Sequence, residues 1–120
     1  MKTVLVFIII FLILVMNNVI RIIGENVPDM EAVDFSENKL PSLENFTLLE
    51  EFAPNLKILD LSNNRLNDIR ELEKLKSLNI RVIDLRNNAL VSKFKERSEY
   101  IEKVRDILGK FCDDFELLPF

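Results

Sequence analysis

The chain has 120 residues, 48% of them apolar, with two glycines and four prolines; this suits one folded domain and excludes a linker or low-complexity protein. Its 16 basic and 20 acidic residues give a net charge of −4, so nothing in the overall balance attracts phosphates or anionic lipid. With no histidine and a single cysteine, Cys112, the chain cannot build a Ser/His/Asp triad, a Cys/His nucleophile pair, a zinc site or an internal disulfide.

The cysteine count fits a reducing compartment. Neither a metal nor a cofactor is expected, and no enzymatic role. The N-terminus points elsewhere. Residues Val4 to Met16 are apolar without a break, and no charge occurs between Lys2 and Arg21. That run is at the lower limit for crossing a bilayer. A basic start followed by an apolar run also resembles a secretory signal, but Asn17, Asn18, Val19, Ile20 and Arg21 lack the small residues of a cleavage site. In that route residues 4–16 would be an uncleaved membrane anchor, and the sequon Asn45-Phe46-Thr47 would matter. The alternative is a helix covering the open N-terminal end of the first repeat. Residues 1–23 are therefore set apart.

From residue 24 the chain repeats. The pattern L-x-x-L-x-L-x-x-N-x-L, with other apolar residues at the leucine positions, fits Met30, Val33, Phe35, Asn38 and Leu40. It fits again at Leu56, Leu59, Leu61, Asn64 and Leu66, and at Ile80, Ile83, Leu85, Asn88 and Leu90. The period of about 25 residues is that of a leucine-rich repeat. Each L-x-L predicts a short strand whose leucines face inward. Asn38, Asn64 and Asn88 follow where the chain turns, and their amides are expected to form a structural ladder against buried backbone groups.

Between the motifs the spacing is helical. Leu43, Phe46, Leu49 and Phe52 recur at intervals of three, as do Ile69, Leu72, Leu75 and Leu78. Thr47-x-x-Glu50 and Asp68-x-x-Glu71 have the form of capping boxes. Pro54 and Asn55 interrupt the first helix. The expected fold is α/β: a right-handed β-α superhelix, or horseshoe, of three leucine-rich repeats over residues 24–97 with strands on the concave side.

Residues 98–120 read as a C-terminal cap. Ser98 has the form of an N-cap, and Tyr100, Ile101, Val104, Leu108 and Phe111 form an apolar stripe. Residues 115–120 can add a last extended segment.

Outward positions on the strands bring Asp34, Asp60 and Asp84 into one register, with Ile58 and Val82 beside them. Stacked carboxylates repel phosphates, so this concave face is expected to suit a protein partner, a basic peptide or a paired arginine. An open face also offers no enclosed pocket for acid–base chemistry. If RNA is contacted, the better candidates are Arg81, Arg86, Lys93, Lys95 and Arg97, which cluster in sequence at the C-terminal rim.

The segments IRIIGENVPDMEAVDFSENKL (20–40), APNLKILDLSNNRL (53–66), RELEKLKSL (70–78) and LRNNALVSKFKERSEYIEKVRDIL (85–108) together resemble the leucine-rich-repeat domain of nuclear RNA export factors, the TAP-type mRNA exporters. The resemblance covers about three quarters of the chain. It rests on Ala53-Pro54-Asn55, the asparagine-rich turns and the Phe94…Tyr100…Arg105 arrangement, beyond the generic repeat consensus. The stretch 108–120 departs from it, lacking the Phe-Pro and Leu-Asp-Gly that close the family's cap. The resemblance implies RNA binding, export adaptors as partners, mRNA export, and a nuclear location with shuttling to the cytoplasm. A membrane or secretory location through residues 4–16 is the alternative.

Overall fold

The computed structural model describes the backbone of residues 5–7, 16–109 and 116–117, and side chains over 19–109. Most of the apolar run, together with Phe111, Cys112, Phe115 and 118–120, lies outside the described residues.

Five short strands form one parallel sheet in chain order: β1 (Leu5–Phe7), β2 (Ala32–Asp34), β3 (Ile58–Asp60), β4 (Val82–Asp84) and β5 (Glu116–Leu117). Val33, Leu59 and Ile83 lie side by side in the register, with Ala32, Ile58 and Val82 on one flank and Asp34, Asp60 and Asp84 on the other. Backbone bonds extend the pairing beyond both strand ends: Lys57 donates to the Glu31 carbonyl, Arg81 to that of Lys57, Phe35 to that of Asp60 and Leu61 to that of Asp84. Parallel strands need a crossover between them, and here each crossover is a helical segment.

The sequence pattern explains where the core lies. Met30, Val33, Phe35 and Leu40, then Leu56, Leu59, Leu61 and Leu66, then Ile80, Ile83, Leu85 and Leu90 are all buried in one cluster. The crossovers add Leu43, Phe46, Leu49, Leu72, Leu75 and Leu78 from the opposite side. Phe35 and Phe46 meet edge-on with ring centroids 5.0 Å apart, joining the end of β2 to the crossover that follows it. That contact also buries the centre of the Asn45-Phe46-Thr47 sequon.

The crossovers are mainly 3-10 helix rather than α-helix: Glu44–Leu48 and Ile69–Leu75, with one α turn, α2 (Leu49–Phe52), after the first. An apolar interval of strictly three residues is the period of a 3-10 helix, where i and i+3 eclipse. Two capping assignments change with this geometry. Thr47 sits inside the first 3-10 helix, its hydroxyl 3.4 Å from the Glu44 carbonyl, and caps nothing. Asp68 does cap: its carboxylate accepts from the Arg70 N–H at 2.9 Å. Glu71 does not turn back to complete the box, because its carboxylate is taken by the preceding crossover, through the Leu43 N–H.

At the N-terminal end, helix α1 (Met16–Asn26) packs against α2 and the first 3-10 helix. It runs through the expected boundary at 23/24. Ile20 and Ile23 are buried, whereas Ile22 is 53% exposed. Gly24 is pressed against Phe52: a Cβ added at Gly24 would stand 2.4 Å from the Phe52 Cβ and 2.5 Å from its carbonyl oxygen. Part of the apolar run is thus strand β1, paired with β2, and no helix among the described residues is long and apolar enough to cross a membrane.

At the other end, a short helix α3 (Ala89–Ser92) leads to α4 (Arg97–Leu108). α4 buries Tyr100, Val104 and Leu108 and packs against the second 3-10 helix. Its N-cap is Glu96, with no side-chain bond, so Ser98 falls within the first helical turn and is exposed. β5 then pairs with β4.

Candidate binding surfaces

The turns that follow the strands are built by asparagine. Asn64 Oδ1 accepts from the backbone N–H groups of Asn38 and Leu40, both at 3.0 Å. Its Nδ2 donates to the carbonyls of Phe35, Leu61 and Ser62 at 3.0 to 3.2 Å. Asn88 Oδ1 accepts from the Leu66 N–H at 3.0 Å, while Nδ2 donates to the Leu61 and Leu85 carbonyls at 2.8 and 3.0 Å. Asn38 Nδ2 donates to the Phe35 and Ser36 carbonyls, both at 2.9 Å. Each of Asn64 and Asn88 therefore ties its own turn to the one before. Among the described residues no buried side-chain nitrogen or oxygen lacks a partner. These amides are spent on the backbone and offer nothing to a ligand.

Next to each asparagine stands a residue in the left-handed region: Glu37, Asn63 and Asn87, with φ between 57° and 60°, and Lys39 beyond the first. Asn tolerates this conformation well, and glutamate and lysine less so.

The outward strand positions fall on one open face. Asp34, Asp60 and Asp84 are in register, and Ile58 and Val82 lie in the row beside them. Ile58 is 41% exposed and Val82 is partly exposed, while Ala32 is buried. The three carboxylates are not equivalent. Asp84 is 3% exposed and is gripped by Arg86, whose Nε and Nη2 donate at 3.0 and 2.7 Å. Burial pushes the Asp84 carboxyl up, and the side-chain bond, the Arg86 N–H and the guanidinium charge outweigh it, so its pKa lies below the ordinary value. Asp34 and Asp60 accept only from nearby groups, the Ser36 N–H at 2.8 Å and the Ser62 N–H and hydroxyl at 2.9 and 2.7 Å. Two of the sequence candidates, Asp84 for protein and Arg86 for RNA, thus satisfy one another.

The basic candidates are not brought together as one patch. Arg81 precedes β4 and Arg86 follows it, so their backbones are about 16 Å apart along the strand. Lys93 and Lys95 are exposed in the turn between α3 and α4, and Arg97 is exposed at the start of α4. Lys93 lies close enough to Asp68 to contribute to that carboxyl's pKa of about 2, which is set first by the Arg70 side-chain bond and then by the Arg70 N–H. Lys93 and Lys95 flank Phe94, whose ring meets Tyr100 at 5.7 Å. An open cleft of about 440 Å³ lies here, lined by Arg86, Asn87, Asn88, Val91, Ser92 and Phe94. Among the described residues no group of acidic side chains is placed to hold a metal ion.

Comparisons with known proteins place the chain in a family. The model of the NXF1/2/3/5 leucine-rich repeat domain matches residues 5–114, nearly the whole chain. The chain belongs to this family. It is 37% identical to nuclear RNA export factor 1 of Drosophila melanogaster and 35% identical to nuclear RNA export factor 2 of Homo sapiens, in each case over 76% of this chain and 14% of the relative. It is 30% identical to nuclear RNA export factor 2 of Caenorhabditis elegans, over 85% of this chain and 25% of the relative. This leucine-rich-repeat domain thus spans between 14% and 25% of those proteins. Among solved structures it resembles a chain of the Chaetomium Mex67:Mtr2 subunits, with a TM-score of 0.63, 16% identity, and coverage of 85% of this chain and 74% of that one. At that identity the likeness concerns the fold.

The paired Asp84–Arg86 was within reach of sequence reasoning, since i and i+2 share a face on an extended chain. The cleft beside Phe94 had no such signal. It depends on where α3 turns.

Proposed function

We propose that this chain is a non-enzymatic binding module acting in the nuclear export of mRNA. It is built as a right-handed horseshoe of three leucine-rich repeats over residues 24–97 with a C-terminal cap over 98–120, in which α4 packs against the second 3-10 helix. The observation that carries the reading is the family match across residues 5–114. The parallel register of β2, β3 and β4, with motif offsets of 26 and 24 residues, supports the repeat architecture. The family and its relatives support a nuclear location, with shuttling to the cytoplasm.

The two faces divide the work. RNA is contacted at the C-terminal rim, where Lys93, Lys95 and Arg97 are exposed beside the partly exposed Phe94. Arg86 is held by Asp84 and contributes little there. The open sheet face carries surplus carboxylates and takes a protein partner instead.

The test is fluorescence anisotropy with a single-stranded RNA oligonucleotide across a salt series. Replacing Lys93, Lys95 and Arg97 together by alanine should weaken binding and reduce the slope of log K against log salt by about 0.7 for each phosphate no longer neutralised. Unchanged affinity and slope would remove RNA contact from this rim. Fractionation of cells carrying a C-terminally tagged chain should recover it as soluble nuclear protein, and extraction only with detergent would overturn the location.

A further inference from the structure

The open sheet face has an apolar centre with an acidic border. Ile58 is one of two large apolar side chains that are strongly exposed among the described residues, and Val82 is its neighbour in the β3–β4 register. Asp34 and Asp60 lie one step along the same face and are partly exposed. The third rung, Asp84, shows what such a carboxylate accepts: the Arg86 guanidinium closes on both of its oxygens. Where Arg86 stands, the other two rungs have Ser36 and Ser62. Those serines bond only Oδ1 of Asp34 and Asp60, and among the described residues neither aspartate forms an ion pair. Lys57, beside Ile58 in the chain, is drawn off to Glu31 at 3.3 Å.

We propose that this face docks an extended, arginine-bearing segment of a protein partner, with one guanidinium bridging Asp34 and Asp60 and an aliphatic side chain resting on Ile58 and Val82. The inference rests on the sheet face being the protein-binding surface. Charge decides the class of occupant. Three carboxylates share one guanidinium, so a phosphate backbone and a second copy of this face are both repelled. Geometry decides the side chain. Asp34 and Asp60 sit on paired strands about 4.8 Å apart, and a planar guanidinium with five donors can meet two carboxylates at once, where an ammonium acts as a point charge. Spacing decides the sequence pattern. Residues i and i+2 of an extended segment lie about 7 Å apart on one side, the separation of Ile58 and Asp60 along β3. The occupant therefore has an aliphatic residue two positions from an arginine.

The experiment uses the full chain and a fluorescein-labelled peptide, Gly-Val-Ser-Arg-Ser-Val-Gly, whose valines stand two positions to either side of the arginine, beside its lysine counterpart. The arginine peptide should bind about tenfold more tightly than the lysine peptide, and the double variant D34N/D60N should remove that preference. I58A should weaken both peptides, and circular dichroism with thermal melting confirms that each variant folds. Equal binding of the two peptides, or a D34N/D60N variant that keeps the preference, overturns the arginine site. A separate variant, Val82→Arg, keeps the two failures distinct. If it abolishes peptide binding while D34N/D60N does not, the face binds protein but not through this pair. If neither changes binding, the sheet face is not the protein surface. Binding of a single-stranded RNA that is lost in D34N/D60N would also overturn the proposal.

Discussion

The carboxylate of Glu71 accepts a hydrogen bond from the backbone N–H of Leu43 at 2.8 Å, across 28 positions of sequence. The same oxygen, Oε1, holds Lys74 Nζ at 2.7 Å. A glutamate that would ordinarily close its own helix instead ties two successive crossovers together. Replacing Glu71 by alanine leaves the Leu43 N–H without its partner next to the core, at a cost of about 1–3 kcal/mol. Glutamine keeps an acceptor and should cost less. Urea unfolding of E71A and E71Q measures both, and equal effects would show that charge, not the bond to Leu43, is what matters.

Asn64 makes five bonds to backbone groups on two successive turns. Alanine at this position strands two N–H donors in a buried turn and takes one of two donors from three carbonyls, which keep Asn38 Nδ2, Asn88 Nδ2 and the Glu37 N–H; the expected loss is about 3 kcal/mol. Aspartate preserves the acceptor but aims a carboxylate at three carbonyl oxygens, so it should also destabilise strongly. Asn63, one residue earlier and exposed, serves as the control. Its replacement by glycine should change stability by less than about 0.5 kcal/mol, since glycine accepts the same positive φ. Similar melts for N64A and N63G would refute the ladder's role.

The inward leucines, the asparagines and the order of the strands were legible in the sequence, because a period of about 25 residues repeats both the apolar pattern and the turn chemistry. The aspartate register was legible for the same reason. The features that were not legible depend on distant contacts. Gly24 reads as an ordinary helix interruption until Phe52 is seen against it. Residues 5–7 belong to an unbroken apolar run, and such a run has no period to separate a buried strand from a membrane helix. Thr47 and Ser98 have the residue types of caps, but the helices begin elsewhere, at Glu44 and Arg97. The basic rim reads as continuous in sequence, whereas in the fold β4 runs between Arg81 and Arg86 and holds them apart.

Glu37 holds a φ of 59° where the equivalent turns have Asn63 and Asn87. Its backbone N–H bonds the Ser62 carbonyl at 3.1 Å, and the residue is exposed. Glu37→Asn should therefore raise stability by about 0.5–1 kcal/mol, by relieving left-handed strain without touching a contact. Thermal melting decides it, and an unchanged or lower Tm would mean that this turn carries no such strain.

Asp84 and Arg86 give the chain a pH dependence whose sign can be worked out. The Asp84 carboxyl titrates below its unfolded value of about 3.9, so its contribution to stability is complete above that pH and is lost as pH falls through the lower, folded value. Arg86→Ala removes the side-chain bonds and the guanidinium charge, and leaves burial, which raises the pKa, opposed only by the backbone N–H of residue 86. The carboxylate then opposes folding at neutral pH, and protonation relieves it as pH falls. R86A should be less stable than the parent by about 1–3 kcal/mol at pH 7, with the gap narrowing as acid is added. Tyr100 is close enough to take part: its hydroxyl pKa is raised, first by burial and then by the Asp84 charge. Urea melts of both proteins at pH 7 and at about pH 3.5 test the sign, since the two stability curves must converge below the unfolded Asp pKa of about 3.9. A gap that stays constant would show that Arg86 acts by packing over Asp84 and not by holding its charge.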